Sequence, residues 1–313
     1  MAEPLALGID IGGTNTSYGL INRRGEIISK GSFLTKGHDT VENYLETMKS
    51  VLFPVMDKVG KECIVGTGIG APSGNFFTGE IAYAPNMPWP GIIPMAKLVS
   101  DTLGTKTTLT NDAKAAAIGE MIYGAAKGMN DFLLITLGTG VGSGFVANGQ
   151  LIYGHDGFAG ELGHVIAVRN GRKCGCGRYG CLETYASATG IVRTAEEWLE
   201  ERYDDTPLKK YKGNITAKLI QEAADAGDEL ALELFAFTGK ILGQTLADAV
   251  AVTSPQAIIF FGGLARAGEL LLKHVRQHME ENLLHVYQNK IMLLQSALPD
   301  ADAAILGASA LVW

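Results

Sequence analysis

An excess of positive charge is missing, and with it one large class of function. The 313 residues carry 26 Lys and Arg against 33 Asp and Glu, a formal net charge of -7, and no basic cluster exceeds a few residues. The electrostatic footprint of a nucleic-acid binder is absent, so no such partner is expected. Hydrophobic residues make up 47% of the chain, yet no uninterrupted apolar stretch approaches the roughly 18 residues of a membrane-spanning helix. No membrane partner is expected either. The opening M-A-E-P-L-A-L-G-I-D lacks a basic region followed by an apolar signal segment, which predicts a cytoplasmic protein. There is no Gly-Lys-Ser or Gly-Lys-Thr, and this excludes a P-loop. Low-complexity tracts and linkers are absent too.

Cysteine is scarce, with four in all, but three of them are crowded together. His164 is followed by Cys174, Cys176 and Cys181 within a glycine-broken stretch, residues 157–183. One imidazole and three thiolates make a closed tetrahedral zinc site, and a zinc with four protein ligands is structural. Its work is then to pin the loop and fix where Glu161, His164 and Glu183 point. The alternatives are disulfides, or buried thiols beside an unrelated histidine. Disulfides need an oxidising compartment, for which the N-terminus gives no support. Cys63 stands alone in an apolar run and reads as an inert core residue.

The length predicts about two domains, and the 40 glycines concentrate where strands must turn tightly or let a ligand approach the backbone. Residues 5–11 read as a buried strand, Gly12-Gly13-Thr14-Asn15 as a turn and residues 17–22 as a second strand. The amides of such a turn form an anion-binding concavity, and Asp10 at its entrance suits a magnesium ion held through water. A plain hairpin turn is the alternative. Val41, Leu45, Met48, Leu52 and Val55 share one helix face. A strand over 64–71 leads to Pro72-Ser73-Gly74 and then to Asn86-Met87-Pro88-Trp89. There Asn86 can both donate to and accept from sugar hydroxyls, while Trp89 either stacks or packs, with packing favoured.

A short strand, 107–110, runs into Asn111-Asp112 and an alanine-rich helix over 113–123. Capping needs only one of the two side chains, so the other is free to face a ligand at the carboxyl end of a strand. The strand 132–137 leads to Gly138-Thr139-Gly140-Val141-Gly142-Ser143-Gly144. A dinucleotide fingerprint must open a helix, whereas this run continues as strand, so it reads as a second glycine turn able to wrap phosphates. Helices are expected over 186–203, 217–226 and 229–253. A strand over 257–261 is followed by Gly262-Gly263, which lets a base or ribose approach closely, and by a helix over about 265–284. A closing helix spans 303–312. The two glycine turns, each between strands, predict two related halves.

Taken together, D-I-G-G-T at 10–14, the Asn111-Asp112 pair, L-G-T-G-V-G-S-G at 137–144 and the G-E-L-G-H segment with C-G-C-G-R-Y-G-C-L-E resemble the ROK family of sugar kinases, over essentially the whole chain. The resemblance implies an α/β protein with the actin-like ATPase (ribonuclease H-like) fold, two α/β domains with a cleft between them. A division into residues 1–112 plus about 298–313, and 113–297, is expected. It further implies ATP with magnesium as donor, a structural zinc on His164, Cys174, Cys176 and Cys181, a hexose as partner, and a homodimer. Asp112 then matches the catalytic base, for which an ordinary carboxylate suffices. Gly74, Asn86, Asn111, Asp112, Glu161, His164 and Glu183 match sugar ligands. Asp10, Gly12, Gly13, Thr14, Asn15, Gly138, Thr139 and Gly140 take the triphosphate, and Gly262 and Gly263 the adenosine.

Two places depart from the common pattern, Pro72-Ser73-Gly74 for Pro-Gly-Pro and one residue fewer between Asn86 and Trp89. Both lie on the sugar side. Glucose is the first expectation for the acceptor. N-acetylmannosamine, N-acetylglucosamine, mannose, fructose and allose are the alternatives, and polyphosphate is the alternative donor. The rivals from other classes are a sugar-responsive repressor and a sugar sensor without catalysis. The first needs a helix-turn-helix domain ahead of the turn at Asp10, and the second sits poorly with Asp112 and two phosphate turns.

Overall fold

The computed structural model describes residues 3–84, 87–201, 205–299 and 302–313. Apolar runs broken by glycine form strands β1 (Leu5–Ile11) and β2 (Asn15–Asn22), followed by β3 (Ile27–Leu34). Helix α1 (Val41–Val59) starts where Thr40 caps it by accepting from Asn43 N, and it buries Tyr44, Leu45, Met48, Leu52 and Met56. Next come β4 (Ile64–Gly70), the short strands β5 (Ile81–Ala82) and β6 (Ile92–Ile93), α2 (Met95–Leu103), β7 (Thr107–Thr110) and α3 (Asp112–Tyr123). Then follow β8 (Phe132–Leu137), β9 (Val141–Ala147), β10 (Gln150–Leu151), α4 (Glu183–Ala186), α5 (Ala188–Glu201), α6 (Ala217–Asp225) and α7 (Glu229–Thr253). The chain closes with β11 (Ala257–Phe261), α8 (Glu269–Asn282), β12 (Met292–Gln295) and α9 (Ala303–Ala310). Among the described residues no helix is long and apolar enough to cross a membrane.

Two sheets repeat one plan, which agrees with the expectation of related halves. The first has the order β3-β2-β1-β4-β7 and the second β10-β9-β8-β11-β12. In the first, β1 pairs antiparallel with β2 and parallel with β4; in the second, β8 pairs antiparallel with β9 and parallel with β11. Each sheet has its own core. Leu7, Ile9, Ile69 and Leu109 pack with Tyr44, Met48 and Met95 in one, while Leu133, Ile135, Ile258 and Phe260 pack with Leu234, Phe235 and Val275 in the other.

The chain forms two compact units, one of Met1–Met129, Leu151–Ala159 and Ala297–Trp313, the other of Asn130–Gln150 and Gly160–Ser296. The expected division at residues 112/113 differs from this, and packing explains why. Helix α9 lies on the first sheet and on α3: a Cβ at Gly68 would stand 1.9 Å from Ala308 O, and one at Gly307 2.8 Å from Ala115 O. Backbones approach that closely only where both side chains are missing or small. Helix α3 is thereby held in the first unit.

Two expected helices are broken. The one over 186–203 divides at Ser187, whose backbone is extended (φ -97, ψ 173) and whose Oγ accepts from Gly190 N at 2.9 Å, a capping contact that starts a fresh helix. The one over 265–284 begins as a 3-10 turn at Ala265–Ala267 and restarts after Gly268 at φ +57.

Candidate active site

In the first unit, three parallel strands end side by side. Asp10 pairs with Gly70 and Gly70 with Thr110, so Asp10 and the Asn111-Asp112 pair emerge at the carboxyl edge of neighbouring strands, where α/β sheets bind ligands. Asp10 Oδ1 and Asp112 Cα lie 3.8 and 3.9 Å from the point where a Gly70 Cβ would stand. Asn111 caps α3: its Oδ1 accepts from Ala113 N at 2.9 Å and Lys114 N at 3.4 Å. Asp112 is the first residue of the helix; its Oδ1 accepts from Ala113 N at 2.8 Å, and its side chain is solvent-exposed. Capping therefore falls to the asparagine, leaving a carboxylate at the head of the helix.

An ordinary carboxylate would suffice as the base, but Asp112 is not one. Solvent reaches Asp112, yet enough protein crowds its carboxyl that desolvation raises its pKa, offset in part by hydrogen bonds from Ala113 N and the Asn111 side chain. Asp10 is pushed up to about 7, first by burial and then by the like charge of Asp112. A buried carboxyl whose ionisation a neighbouring acid opposes suits a bound cation, so Asp10 fits the magnesium role by its chemistry.

The turn after Asp10 is firmly built. Gly12 N donates to Asn15 O at 3.0 Å, and Thr14 O accepts from Thr35 N at 2.9 Å and Lys36 N at 3.1 Å. Below it, buried Thr16 Oγ1 lies 2.8 Å from both Thr35 Oγ1 and Tyr44 OH. Trp89 packs, as favoured: it is buried, its ring centroid lies 4.7 Å from that of Tyr44, and its Nε1 donates to His38 O at 3.2 Å. Gly74 forms a bridge with Ile81 and donates from its N to Ala71 O at 3.1 Å. Asn86 lies outside the described residues.

Sequence reasoning missed Lys114. It is 2% exposed, and its Nζ donates to Gly157 O at 2.7 Å, tying segment 151–159 to the helix that begins with Asp112. A lysine in an alanine-rich helix reads as a solvated residue, so no signal pointed to it.

The second unit gathers the metal quartet. The ligand atoms of His164, Cys174, Cys176 and Cys181 all lie within 4.8 Å of one another. Cys176 Sγ and Cys181 Sγ are 3.7 Å apart, far beyond the about 2.05 Å of a disulfide. This spacing matches the roughly 3.8 Å edge of a tetrahedron built on zinc–sulfur bonds of about 2.3 Å. His164 presents Nδ1, 3.7 Å from Cys174 Sγ. Burial raises the Cys174 and Cys181 thiols, and adjacent thiolates are tolerated when a dication lies among them. The donor set fits zinc.

Around the quartet stand the expected carboxylates. Glu161 is exposed and precedes the 3-10 turn Leu162–His164, accepting from His164 N at 3.0 Å through its backbone. Glu183 opens α4; its Oε1 lies 3.0 Å from Cys174 Sγ, and its Oε2 would be 2.7 Å from a Gly140 Cβ. Gly138–Gly140 is the turn of a hairpin, with Leu137 opposite Val141 and Gly138 N donating to Gly140 O at 3.1 Å. No helix follows it, in keeping with the rejected dinucleotide reading. Gly262, at φ +103, packs on the same strand end: a Cβ there would stand 2.8 Å from Leu137 O. One unit thus holds Asp10, the Gly12–Asn15 turn, Gly74, Asn111 and Asp112, and the other the quartet, Glu161, Glu183 and the remaining glycines.

A profile of the ROK family matches residues 6–313. The chain belongs to the ROK family. It is 37% identical to a glucokinase of Halalkalibacterium halodurans over 286 residues, 90% of this chain and 86% of the relative. It is also 32% identical to an N-acetylmannosamine kinase of Escherichia coli over 309 residues, 97% of each. Among solved structures it is similar to a ROK family glucokinase from Streptomyces griseus in complex with glucose and AMPPNP, with a TM-score of 0.81, 32% identity and 98% of each chain covered. The fold is the two-domain actin-like ATPase fold of the ROK kinases.

Proposed function

We propose that this ROK protein, an ATP-dependent sugar phosphotransferase, acts on the 6-hydroxyl of glucose. The observation that carries the reading is the division of labour at the head of α3, where Asn111 caps and leaves Asp112 exposed with a raised pKa. Asp112 orients the hydroxyl toward the γ-phosphorus and accepts its proton as the new oxygen–phosphorus bond forms. The bond from the γ-phosphorus to the bridging oxygen breaks, and ADP leaves. Such a step depends mainly on positioning and charge neutralisation. A raised pKa makes the carboxylate a better proton acceptor late in the transfer.

Asn86, Asn111, Glu161, His164 and Glu183 hold the ring hydroxyls, with Gly74 letting the sugar approach the backbone. A site built to bond hydroxyls rejects a sugar that lacks one, since its own polar groups are left unpaired. The Gly12–Asn15 and Gly138–Gly140 turns hold the triphosphate, and Gly262-Gly263 the adenosine. Asp10 would hold magnesium, which would supply charge neutralisation on the phosphates. His164, Cys174, Cys176 and Cys181 would hold zinc, which would supply no chemistry and would steady the loop that presents Glu161 and His164. The working protein is a homodimer.

Glucose is favoured by the higher identity to the glucokinase than to the N-acetylmannosamine kinase. The test is ADP release across glucose, N-acetylmannosamine, N-acetylglucosamine, mannose, fructose and allose, with ATP and polyphosphate compared as donors. Glucose with ATP is expected to give the highest kcat/KM. Another sugar ahead by more than tenfold would refute the choice.

A further inference from the structure

The hairpin turn Gly138–Gly140 is held from behind by the start of α5. Ala188 N donates to Gly138 O at 2.8 Å, and Thr189 Oγ1 donates to Thr139 O at 2.7 Å. In a trans peptide the carbonyl and the N–H of one plane point in opposite directions. Fixing Gly138 O and Thr139 O against α5 therefore turns the amides of Thr139 and Gly140 the other way. Thr139 is exposed, so the turn is open to solvent, and the amides point away from α5. Two successive amides presented together bind an anionic oxygen.

The bond from Ala188 is a backbone contact that any residue can make. The bond from Thr189 needs a hydroxyl. The start of α5 that carries it is anchored by buried Ser187, whose Oγ donates to Glu183 O at 2.6 Å, accepts from Gly190 N at 2.9 Å and lies 3.0 Å from Thr189 Oγ1. The break between α4 and α5 at Ser187 is what brings Thr189 to the turn, since a continuous helix would commit these groups to its own ladder.

We propose that Thr189 is a positioning residue for the phosphates of the nucleotide, acting through the peptide plane between Thr139 and Gly140. The proposal rests on reading Gly138–Gly140 as a phosphate turn. Thr189 touches no reacting atom; its side chain keeps one amide aimed.

Replacing Thr189 by Val keeps the branched shape and removes the donor; replacing it by Ser keeps the donor. Titration calorimetry with MgADP on the full chain is expected to show Thr189→Val binding about fivefold more weakly, the effect of one neutral hydrogen bond, and Thr189→Ser binding within twofold of the parent. KM for ATP should rise in step in Thr189→Val while KM for the sugar and the melting temperature stay put, a split that a general loosening of α5 would not give. Thr189→Val binding MgADP within twofold of the parent, or losing sugar and nucleotide affinity together, overturns the proposal. Amide NMR on the unaltered protein separates the two layers. If MgADP shifts the Thr139 and Gly140 amides but Thr189→Val binds normally, only the role of Thr189 falls. If MgADP leaves both amides unmoved, the phosphate-turn reading falls and takes the proposal with it.

Discussion

Asp10 is a residue whose placement costs stability. Its pKa is about 7 in the folded chain and 3.8 without the fold, so from about pH 4 to 7 the folded protein binds more protons at this site than the unfolded chain. Stability contributed by this site is therefore present in acid and lost as pH rises through that window. Asp10→Asn removes the dependence. In magnesium-free denaturant melts the variant should gain over the parent at pH 8, by on the order of 2 kcal/mol, and show little gain at pH 4.5. Each pKa unit is worth at most about 1.4 kcal/mol, and partial solvent access reduces that. An equal gain at both pH values would mean that burial and Asp112 do not govern Asp10. A neighbouring ambiguity was beyond the sequence: asparagine and aspartate cap helices about equally well, and only the bonds from Ala113 and Lys114 to Asn111 single out the asparagine as the cap.

At the scale of elements, what was legible is what chemistry places at fixed spacing. The quartet could be read because three cysteines and a histidine so close together have few other uses. The two glycine turns could be read because an apolar run must stop to turn. Strand β3 went unread: its residues Ile27–Leu34 alternate between half-buried and exposed, and Ser, Lys and Gly within it blur the pattern of an edge strand. The break at Ser187 went unread because serine inside a helical pattern carries no signal until its hydroxyl finds Gly190 N. The grouping of residues 151–159 with the first unit is tertiary, made by contacts such as Lys114 to Gly157. The metal loop carries its own prediction. On the proposed reading zinc would fix the ring of His164 and the turn after Glu161, so stripping the metal with a chelator should weaken sugar binding by at least tenfold, the range seen when support of ligands is lost. Calorimetry with the stripped protein would show it, and an unchanged sugar Kd would detach the quartet from the sugar site.

Over the whole molecule, the repetition of one sheet plan explains how a single chain provides two glycine turns. Each follows the first long strand of its sheet, β1 or β8, and precedes that strand's antiparallel neighbour. The glucokinase relatives within the family support the reaction class, ATP-dependent sugar phosphotransfer. The central claim is that one acid at the head of α3 takes the proton of a hexose hydroxyl. Phosphorus NMR of the product, run together with turnover and sugar affinity of Asp112→Asn, tests it most directly. The account predicts a phosphate ester on carbon 6 from the parent protein, and from Asp112→Asn a sugar Kd within a few-fold of the parent and turnover lower by about 100-fold or more. Undiminished formation of the same ester by Asp112→Asn would contradict it.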